Sequence, residues 1–388
     1  MRTIKNIVFI LILFASVTAC RKVNNEFVDP GKTVLVYMIA DNSLSGNVEA
    51  NIDSLMAGVA RNTVKGTLLI YLDNAGSAPQ LMHLVKGKNG IVTKQIIKTY
   101  LQQNSVSPTI MSSVFADMSI HFPSLSYGLV LWSHGYGWIP GAGNLKTAPT
   151  TRWFGQDGSN YMDIPDLATA LSAGPHFSYI LFDACFMSGV ETAYALRKYT
   201  DYLIASPTEV LADGFPYGDI IPSLFGISES DYIKTASTFY DHYNIMDGYN
   251  RSASVACIKC SEMENLATET NKLISIHITE LNTFSATNVQ YMESYSPHLF
   301  YDFGHFVEGF TTAEERSSFE QQLNKTLVYK ACTPNIVSVR SSGYYEFIPV
   351  GHYSGLNTYI PQIANKARNT AYHLMEWYTA CGWNKTSW

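Results

Sequence analysis

Two side chains that could act together as a nucleophile and a base stand directly after apolar segments. Cys185 ends the segment "ILFDAC", and His134, about fifty residues earlier, follows "LVLWS". An imidazole beside a thiol promotes the thiolate, which is the attacking species. A lone cysteine at a strand end is usually a small buried hydrophobe, and a lone His-Gly pair is usually a turn. The joint pattern predicts that Cys185 attacks a peptide carbonyl and that His134 protonates the leaving amine.

Backbone N–H groups beside these side chains could stabilise the negative oxygen that such an attack creates. Gly135 directly follows His134, and a glycine at this position lets the backbone approach a substrate closely. We expect the amides of Gly135 and Cys185 to form an oxyanion hole for the tetrahedral intermediate.

The elements that must position these residues are five nearly continuous apolar runs, each of which ends in polar residues. They are rich in Val, Ile, Leu and Tyr, which is typical of strands buried on both faces. Amphipathic helices between them predict an α/β fold, a mostly parallel sheet covered by helices on both faces. In such sheets the ligand crevice lies beyond the carboxyl ends of the strands. The runs are "TVLVYMIADN", "GTLLIYLDN", "YGLVLWSHG", "YILFDAC" and "YLIASPTE".

The second half of the 388-residue chain is less regular. We expect a catalytic domain over residues 33–225 and a C-terminal mixed α+β subdomain over residues 226–388. The predicted elements of the subdomain are helices in "ESDYIKTASTFYDHY" and "MENLATETNKLISIHITELN", two short strands joined by a turn in "SGYYEFIPVGHYSGLNTYIPQ", and a closing helix in "ANKARNTAYHLMEWYTA".

Composition limits the classes of function. Hydrophobic residues make up 46% of the chain and charged residues 15%, so a large core is expected. The net charge of −6 provides no basic field, and we expect no nucleic-acid partner. Cys257 and Cys260 form a CxxC motif, but no second pair at zinc-ligand spacing accompanies it. Packing cysteines or a local disulfide are the expected interpretations, and the sequence predicts no metal site.

Residues 1–19 are predicted to be a signal peptide rather than part of the fold. Arg2 and Lys5 precede an apolar run that is too short for a comfortable membrane-spanning helix. The following "VTAC" resembles a bacterial lipobox, which implies cleavage before Cys20 and lipid attachment to its thiol. Residues 20–32 would then be a tether. By the same resemblance, an arginine rather than an aspartate after Cys20 favours the outer membrane, so we expect a lipid-anchored protein of the bacterial cell envelope, facing the periplasm or the surface.

The cysteine count supports a free thiol. Without Cys20 the chain has five cysteines, and an odd number in an exported protein leaves at least one unpaired.

As a whole, the sequence resembles the clostripain-like cysteine peptidases of family C11, which have a caspase-like fold. The sequence itself requires no cofactor, although some relatives need calcium. The resemblance implies that His134 and Cys185 are the catalytic dyad and that peptide or protein substrates are cut after basic residues. It is carried by "TVLVYMIADNSL" (33–44), "LVLWSHGYGW" (129–138), "ILFDACFMSGVETAYALR" (180–197) and "ASPTEVLADGFPYG" (205–218).

A preference for arginine or lysine requires carboxylates near the nucleophile. Asp183 lies two residues before Cys185 and would point to the same side of a strand, and Asp213 lies in the loop after the fifth strand. Both could receive a basic side chain through charge-assisted hydrogen bonds. Alternatively, Asp183 bonds backbone amides at the strand end, Asp213 is a turn residue before a glycine, and Glu209 is a rival acid on the same loop.

The segment between the base and the nucleophile, residues 139–158, is rich in Gly, Pro and Thr and is predicted to be an exposed loop. Some clostripain-like relatives mature by self-cleavage between the catalytic histidine and cysteine. Lys146 and Arg152 are the corresponding candidates here, and an uncut surface loop is the alternative. Asp157 could serve a calcium loop or an ordinary turn, so calcium remains open.

A different class of function is also compatible with the sequence. The chain could be a catalytically inactive surface lipoprotein that binds peptides or proteins on a peptidase fold, because a fold alone does not imply its ancestral activity. The presence of both His134 and Cys185 speaks against this alternative.

Overall fold

The computed structural model describes residues 31–139, 153–340 and 343–388. Its strands are β1 (Lys32–Ala40), β2 (Gly66–Asn74), β3 (Gln80–Lys86), β4 (Val92–Thr99), β5 (Ser126–Trp132), β6 (Phe154–Asp157), β7 (Asn160–Met162), β8 (Phe177–Asp183), β9 (Tyr202–Ala205), β10 (Ser254–Lys259), β11 (Tyr301–Asp302), β12 (Leu327–Cys332), β13 (Asn335–Val339), β14 (Tyr345–Pro349) and β15 (Asn357–Thr358).

The helices alternate with the strands in the first half of the chain and dominate the second half. They are α1 (Val48–Arg61), α2 (Pro108–His121), α3 (Ile164–Ser172), α4 (Val190–Leu196), α5 (Tyr217–Leu224), α6 (Glu229–Asn244), α7 (Met263–Ile276), α8 (Ile278–Leu281), α9 (Phe303–Glu308), α10 (Ser317–Thr326), α11 (Lys366–Tyr372) and α12 (Glu376–Ala380).

A nine-stranded sheet in the order β12-β10-β9-β8-β5-β1-β2-β3-β4 organises the molecule. The five central strands run parallel, and each edge adds two strands, each of which pairs antiparallel with its neighbour. The five parallel strands are the five apolar runs identified in the sequence. The prediction of a mostly parallel sheet is therefore confirmed.

Helices cover both faces of this sheet, as the alternation of strands and helices predicted. Every residue of β1 is buried. Its side chains alternate between two cores: Leu35 and Tyr37 pack with α2, α3 and α4, whereas Val34 and Val36 pack with α1, α5 and α6. Strands buried on both faces cannot alternate polar and apolar residues, which explains why their sequences are continuously apolar.

The second half of the chain contributes to the same sheet. Strands β10 and β12 lie beyond residue 225 and extend the sheet at the β9 edge. Strand β14 pairs with β13, and β15 pairs with β11, so the two short strands expected in residues 342–362 do not pair with each other. The closing helix is divided into α11 and α12. The domain boundary between residues 225 and 226 stays a prediction.

The cysteines of the CxxC motif are packing residues. Cys257 and Cys260 are both buried and unpaired, and Cys185, Cys332 and Cys381 also carry free thiols. Cys257 lies in the core beside α6, and Cys260 lies in the core beside α7. The local disulfide considered for this motif is therefore not formed.

Among residues 31–139, 153–340 and 343–388, no helix is both long enough and apolar enough to span a membrane.

Candidate active site

The carboxyl edge of the parallel strands collects the loops that carry the predicted site residues. Strand β5 pairs with β1 on one side and with β8 on the other, so that Trp132 lies opposite both Met38 and Asp183. The loop after β5 therefore emerges between the loops that follow β1 and β8. The structure places His134 and Cys185 on neighbouring loops at this edge.

Gly135 packs directly against the cysteine loop. A Cβ atom at residue 135 would lie 2.7 Å from the carbonyl oxygen of Cys185 and 2.9 Å from Cβ of Ala184. The amide of Ser133 also donates to the carbonyl oxygen of Asp183 at 3.4 Å. Only a residue without a side chain fits between these loops, so Gly135 sets how closely the histidine loop approaches Cys185.

Side-chain hydrogen bonds hold the loops after β1 and β5 together with strand β6. The amide nitrogen Nδ2 of Asn42 donates to the carbonyl oxygens of Ile39 and Gln156, at 3.0 and 2.7 Å. Ser133 Oγ donates to the same Ile39 carbonyl at 2.8 Å and accepts from the Gln156 amide at 3.2 Å. Because these backbone groups have fixed partners, the residues next to Asn42 and Ser133 have little freedom to move.

The imidazole of His134 is half-buried, and its Nε2 atom lies 2.8 Å from Oγ of Ser43 in the loop after β1. Burial lowers the pKa of His134 below its usual value. The ring is consequently neutral at neutral pH, which is the state that a base requires.

The thiol of Cys185 is covered by the loop after β9. The amide of Val210 donates to Sγ at 3.3 Å, and Sγ–H reaches the Val210 carbonyl oxygen at 3.7 Å. Burial, and to a smaller extent the nearby carboxylate of Glu209, raise the pKa of Cys185 to about 12, and the Val210 amide bond opposes this increase. The thiol is therefore protonated in this conformation.

Phe186, directly after the cysteine, has a φ of 59°. Within the described ranges it is the one residue other than glycine with a positive φ, a conformation that costs a bulky residue of order 1 kcal/mol or more. Its amide donates to the Thr208 carbonyl at 2.9 Å, and its ring stacks on Phe300 at 4.7 Å. These contacts hold the sharp turn that follows Cys185. No sequence signal marks it, because phenylalanine is not typical of left-handed backbone.

The two amides expected to form the oxyanion hole lie on the loops that meet here. Within residues 31–139, 153–340 and 343–388, neither the Gly135 amide nor the Cys185 amide donates to a backbone carbonyl. Both N–H groups are thus compatible with a bound anionic oxygen.

Asp183 is buried at the end of β8, and one of its carboxylate oxygens is fully engaged. Oδ2 accepts hydrogen bonds from the Tyr217 hydroxyl at 2.7 Å and from the Phe215 amide at 3.1 Å. Burial raises the pKa of Asp183 to about 6, although these two bonds oppose the shift. Oδ1 accepts no hydrogen bond from the residues that the structure describes. The alternative interpretation, in which Asp183 holds backbone groups, therefore accounts for Oδ2 but not for Oδ1.

The other two acids lie on the loop between β9 and α5. Asp213 is exposed and lines a cavity of about 330 Å³ together with Asn51 and Arg61 of α1. Glu209 instead points inward, where its carboxylate accepts from the Ser338 hydroxyl at 2.6 Å and from the Val339 amide. Burial raises the pKa of Glu209 to about 7. Glu209 is the acid whose charge acts most strongly on the Cys185 thiol.

One group of side chains in the described part of the chain has ligand atoms close enough for a metal ion, and it includes none of the predicted site residues. The ligand atoms of His305, Glu308 and His352 lie within 4.8 Å of one another. Nδ1 of His305 accepts the Gln290 amide at 2.9 Å, so its proton lies on Nε2 and blocks that nitrogen as a ligand. Asp157, considered for calcium, accepts the Ser105 amide at 2.6 Å.

Three predicted sites, Cys20, Lys146 and Arg152, lie outside the described residues. The site residues that sequence reasoning did not identify are Ser43, Val210, Phe186 and Tyr217. Three of them lie in segments that follow buried strands, and this position in the sequence indicates a place at the functional edge of the sheet. They are Ser43, Val210 and Tyr217.

Comparisons with known proteins identify the family of this chain. Residues 36–388 match the model of the clostripain family, peptidase C11. An inactive zymogen of a C11 protease from Parabacteroides distasonis is 38% identical, with a TM-score of 0.80 over 91% of this chain and 98% of that one. A secreted C11 cysteine protease from Bacteroides thetaiotaomicron, solved with an irreversible peptide inhibitor, is 32% identical, with a TM-score of 0.82 over 92% of this chain and 100% of that one. Comparison with curated proteins gives no significant match.

Proposed function

Because the chain belongs to the clostripain family of cysteine peptidases, we propose that it is an endopeptidase that cleaves after arginine or lysine, with Cys185 as the nucleophile and His134 as the acid and base. The observation that carries this proposal is the packing of Gly135 on the backbone of Cys185, with no room for a side chain between them. This contact joins the histidine loop to the thiol loop at the carboxyl edge of the sheet, where ligands of parallel sheets bind.

The reaction begins when His134 takes the proton of the Cys185 thiol. The thiolate attacks the carbonyl carbon of the scissile peptide bond, and the amides of Gly135 and Cys185 receive the oxyanion. His134 then gives its proton to the leaving amine as the C–N bond breaks, which leaves a thioester on Cys185. Water attacks the thioester with His134 as the base, and the carboxylic acid leaves as the thiol is restored.

Formation of the thiolate requires a change around Cys185. The thiol has a pKa of about 12 because it is desolvated and lies near the Glu209 carboxylate, although the Val210 amide bond opposes this increase. A thiolate paired with an imidazolium has a much lower pKa. We infer that a bound substrate displaces the Val210 contacts and lets Cys185 interact with His134.

The carboxylates of Asp183 and Asp213 are proposed to meet the basic side chain of the substrate. Two donors hold Oδ2 of Asp183, which leaves Oδ1 without a hydrogen-bond donor among the described residues. Asp213 supplies a second negative charge from the exposed part of the loop. Charge-assisted hydrogen bonds of this kind favour an arginine guanidinium or a lysine ammonium over a neutral side chain.

Hydrolysis of fluorogenic peptides tests the proposal. Peptides that differ only in having arginine, lysine, alanine or aspartate before the cut are incubated with the wild type, Cys185→Ala and His134→Ala. We expect turnover of the arginine and lysine peptides that is lost in both variants. Binding of these peptides without turnover by the wild type would instead favour the inactive binding protein.

The N-terminal proposals concern location. We propose that Cys20 is lipidated and anchors the protein in the bacterial cell envelope, at the outer membrane. The secreted relative from Bacteroides thetaiotaomicron supports a location outside the cytoplasm. Mass spectrometry of the mature N-terminus, compared with a Cys20→Ser variant, would show a diacylglyceryl-cysteine only in the wild type. An unmodified N-terminus would contradict the anchor.

Self-cleavage after Lys146 or Arg152 is the corresponding proposal for the loop between His134 and Cys185. A relative of this chain is an inactive zymogen. Incubation of the wild type should convert one chain into two fragments, whereas Cys185→Ala should remain intact. N-terminal sequencing of the new fragment would identify the site.

A further inference from the structure

The loop after β1 reaches across to the imidazole of His134. Ser43 Oγ lies 2.8 Å from Nε2, and it is the side chain that hydrogen-bonds to this ring in the part of the chain that the structure describes. We propose that Ser43 is a positioning residue of the peptidase: its oxygen accepts the Nε2–H of His134 and keeps the other ring nitrogen, Nδ1, unprotonated for the thiol. This inference rests on the proposed role of His134.

Ser43 is held in place by its neighbours on both sides. The side chain of Asn42 donates to the Ile39 and Gln156 carbonyls, and its Oδ1 accepts the amide of Leu44 at 2.8 Å. The carbonyl of Leu44 in turn accepts the Asn47 amide at 2.9 Å. Because both flanking residues are fixed, the hydroxyl of Ser43 is directed at the imidazole although the residue itself is exposed.

The chemistry decides which atom donates. A neutral imidazole carries one N–H, and the other nitrogen has the free lone pair. One ring nitrogen faces Ser43, so the thiol can exchange its proton only with the other. A ring that accepted the serine O–H at Nε2 would carry its proton on Nδ1 and could not act as the base. The working tautomer therefore has the proton on Nε2, and Ser43 Oγ is the acceptor.

The same bond strengthens during the reaction. When His134 takes the proton of Cys185 it becomes an imidazolium, and a charged donor makes a stronger hydrogen bond than a neutral one. Ser43 thus stabilises the state that follows proton transfer more than the resting state. Since Ser43 is exposed, water can replace the lost hydroxyl in part, and we expect a moderate effect rather than complete loss of activity.

The experiment compares Ser43→Ala, Ser43→Thr and the control Ser45→Ala, two residues away on the same loop. We expect Ser43→Ala to lower kcat about tenfold with KM nearly unchanged. Ser43→Thr, which keeps a hydroxyl, should retain most of the wild-type kcat. The acidic limb of the kcat/KM profile should move to lower pH in Ser43→Ala, because the imidazolium loses an acceptor. Ser45→Ala should match the wild type in every measurement. A Ser43→Ala variant with wild-type kcat and pH profile would overturn the inference.

A second measurement does not depend on turnover. In the Cys185→Ala protein labelled with 15N-histidine, the His134 signals are assigned by comparison with a protein that also carries His134→Gln. We expect 15N chemical shifts typical of a ring that is protonated on Nε2. Chemical shifts typical of a ring protonated on Nδ1 would overturn the inference. If the wild type hydrolyses no peptide, or if hydrolysis persists in Cys185→Ala, the proposed function fails. The tautomer measured by NMR then decides by itself whether Ser43 accepts the Nε2–H of His134.

Discussion

The hydroxyl of Tyr217, at the start of α5, donates a 2.7 Å hydrogen bond to Oδ2 of Asp183 at the end of β8. The same oxygen accepts the Phe215 amide. Asp183 is only 5% exposed, so these two donors fix the orientation of its carboxylate. The bond joins the strand that leads to the nucleophile with the loop that carries Asp213, and it makes Asp183 both a structural and a substrate-binding candidate.

Substitution of Asp183 separates the two roles. We expect Asp183→Asn to lower kcat/KM for arginine and lysine peptides at least about tenfold more than for alanine peptides, because a neutral amide loses the charge-assisted bond at Oδ1. The preference of the wild type for arginine and lysine peptides over alanine peptides should also weaken below pH 6, since Asp183 has a pKa of about 6 and becomes protonated there. Steady-state kinetics with the matched peptides measure both effects.

The comparison variant is Tyr217→Phe, which removes one donor from Oδ2 and keeps the charge of Asp183. It should reduce the free energy of unfolding by about 1–3 kcal/mol, measured by urea denaturation, and leave a clear preference for basic peptides. Tyr249→Phe at an exposed tyrosine is the control for stability. An equal loss for basic and neutral peptides in Asp183→Asn would assign Asp183 to structure alone.

The parallel part of the sheet could be predicted because burial on both faces leaves a strong signal. Each central strand is a continuous apolar run followed by polar residues, and chain order alone then places His134 and Cys185 at one edge. Strands β3 and β4 lack this signal. Most residues of β4 are exposed or half-buried, so its sequence alternates weakly and was not recognised as a strand.

The contacts within the site could be predicted less well, because they depend on distant parts of the chain. Glu209 was a possible substrate acid by its place in the loop, yet its partners are Ser338 and Val339, more than a hundred residues later. The contact between Cys185 and Val210 likewise requires knowing how the loop after β9 folds back. Chain order identifies the edge where residues gather, but not which of them touch.

Gly135→Ala tests the contact between the two loops. The added methyl would lie 2.7 Å from the Cys185 carbonyl oxygen, and this backbone atom can move only with its loop. We expect activity to fall by at least about tenfold and the free energy of unfolding to fall by about 1–3 kcal/mol. Gly46→Ala is the matched control, because a methyl added at Gly46 would have no neighbouring atom within 4 Å. Wild-type activity in Gly135→Ala would show that the loops need not meet this closely.

Glu209→Gln tests the electrostatic environment of the nucleophile. The Glu209 carboxylate raises the pKa of Cys185, and its own pKa of about 7 means that it is charged above that pH. Removal of this charge should make the thiol easier to ionise. The rate of alkylation by iodoacetamide at pH 8–9 should therefore rise, measured by mass spectrometry at Cys185.

The control for alkylation is Asp213→Asn, which removes an acid from the exposed part of the same loop. It should leave the rate at Cys185 unchanged. A rate in Glu209→Gln no higher than that of the wild type would show that the carboxylate does not influence the thiol.

The pH dependence of stability should be governed in part by Glu191, a fully buried residue in the first turn of α4. Its Oε1 accepts from the Thr358 hydroxyl and the Tyr359 amide, each at 2.9 Å. Burial nevertheless raises the pKa of Glu191 to about 7. Oε2 and the side-chain oxygen Oδ1 of Asn357 have no hydrogen-bond partner among the described residues, and both lie beside Gly189.

Glu191→Gln should change how stability depends on pH. An acid whose pKa is higher in the folded state binds its proton there first, so the wild type loses stability as the pH rises from about 4.5 to about 7. The loss from this residue is on the order of 3 kcal/mol. Glutamine does not titrate, and its amide can donate to Oδ1 of Asn357 while its oxygen keeps the other bonds.

The free energy of unfolding of Glu191→Gln relative to the wild type should consequently increase through this pH range and stay constant above it. Urea denaturation at pH 4.5, 6 and 8 measures the difference. Glu346→Gln, at a carboxylate whose pKa is lowered by Arg340, is the control and should show no such increase. A difference that does not change with pH would mean that Glu191 is ionised equally easily in the folded and unfolded chains.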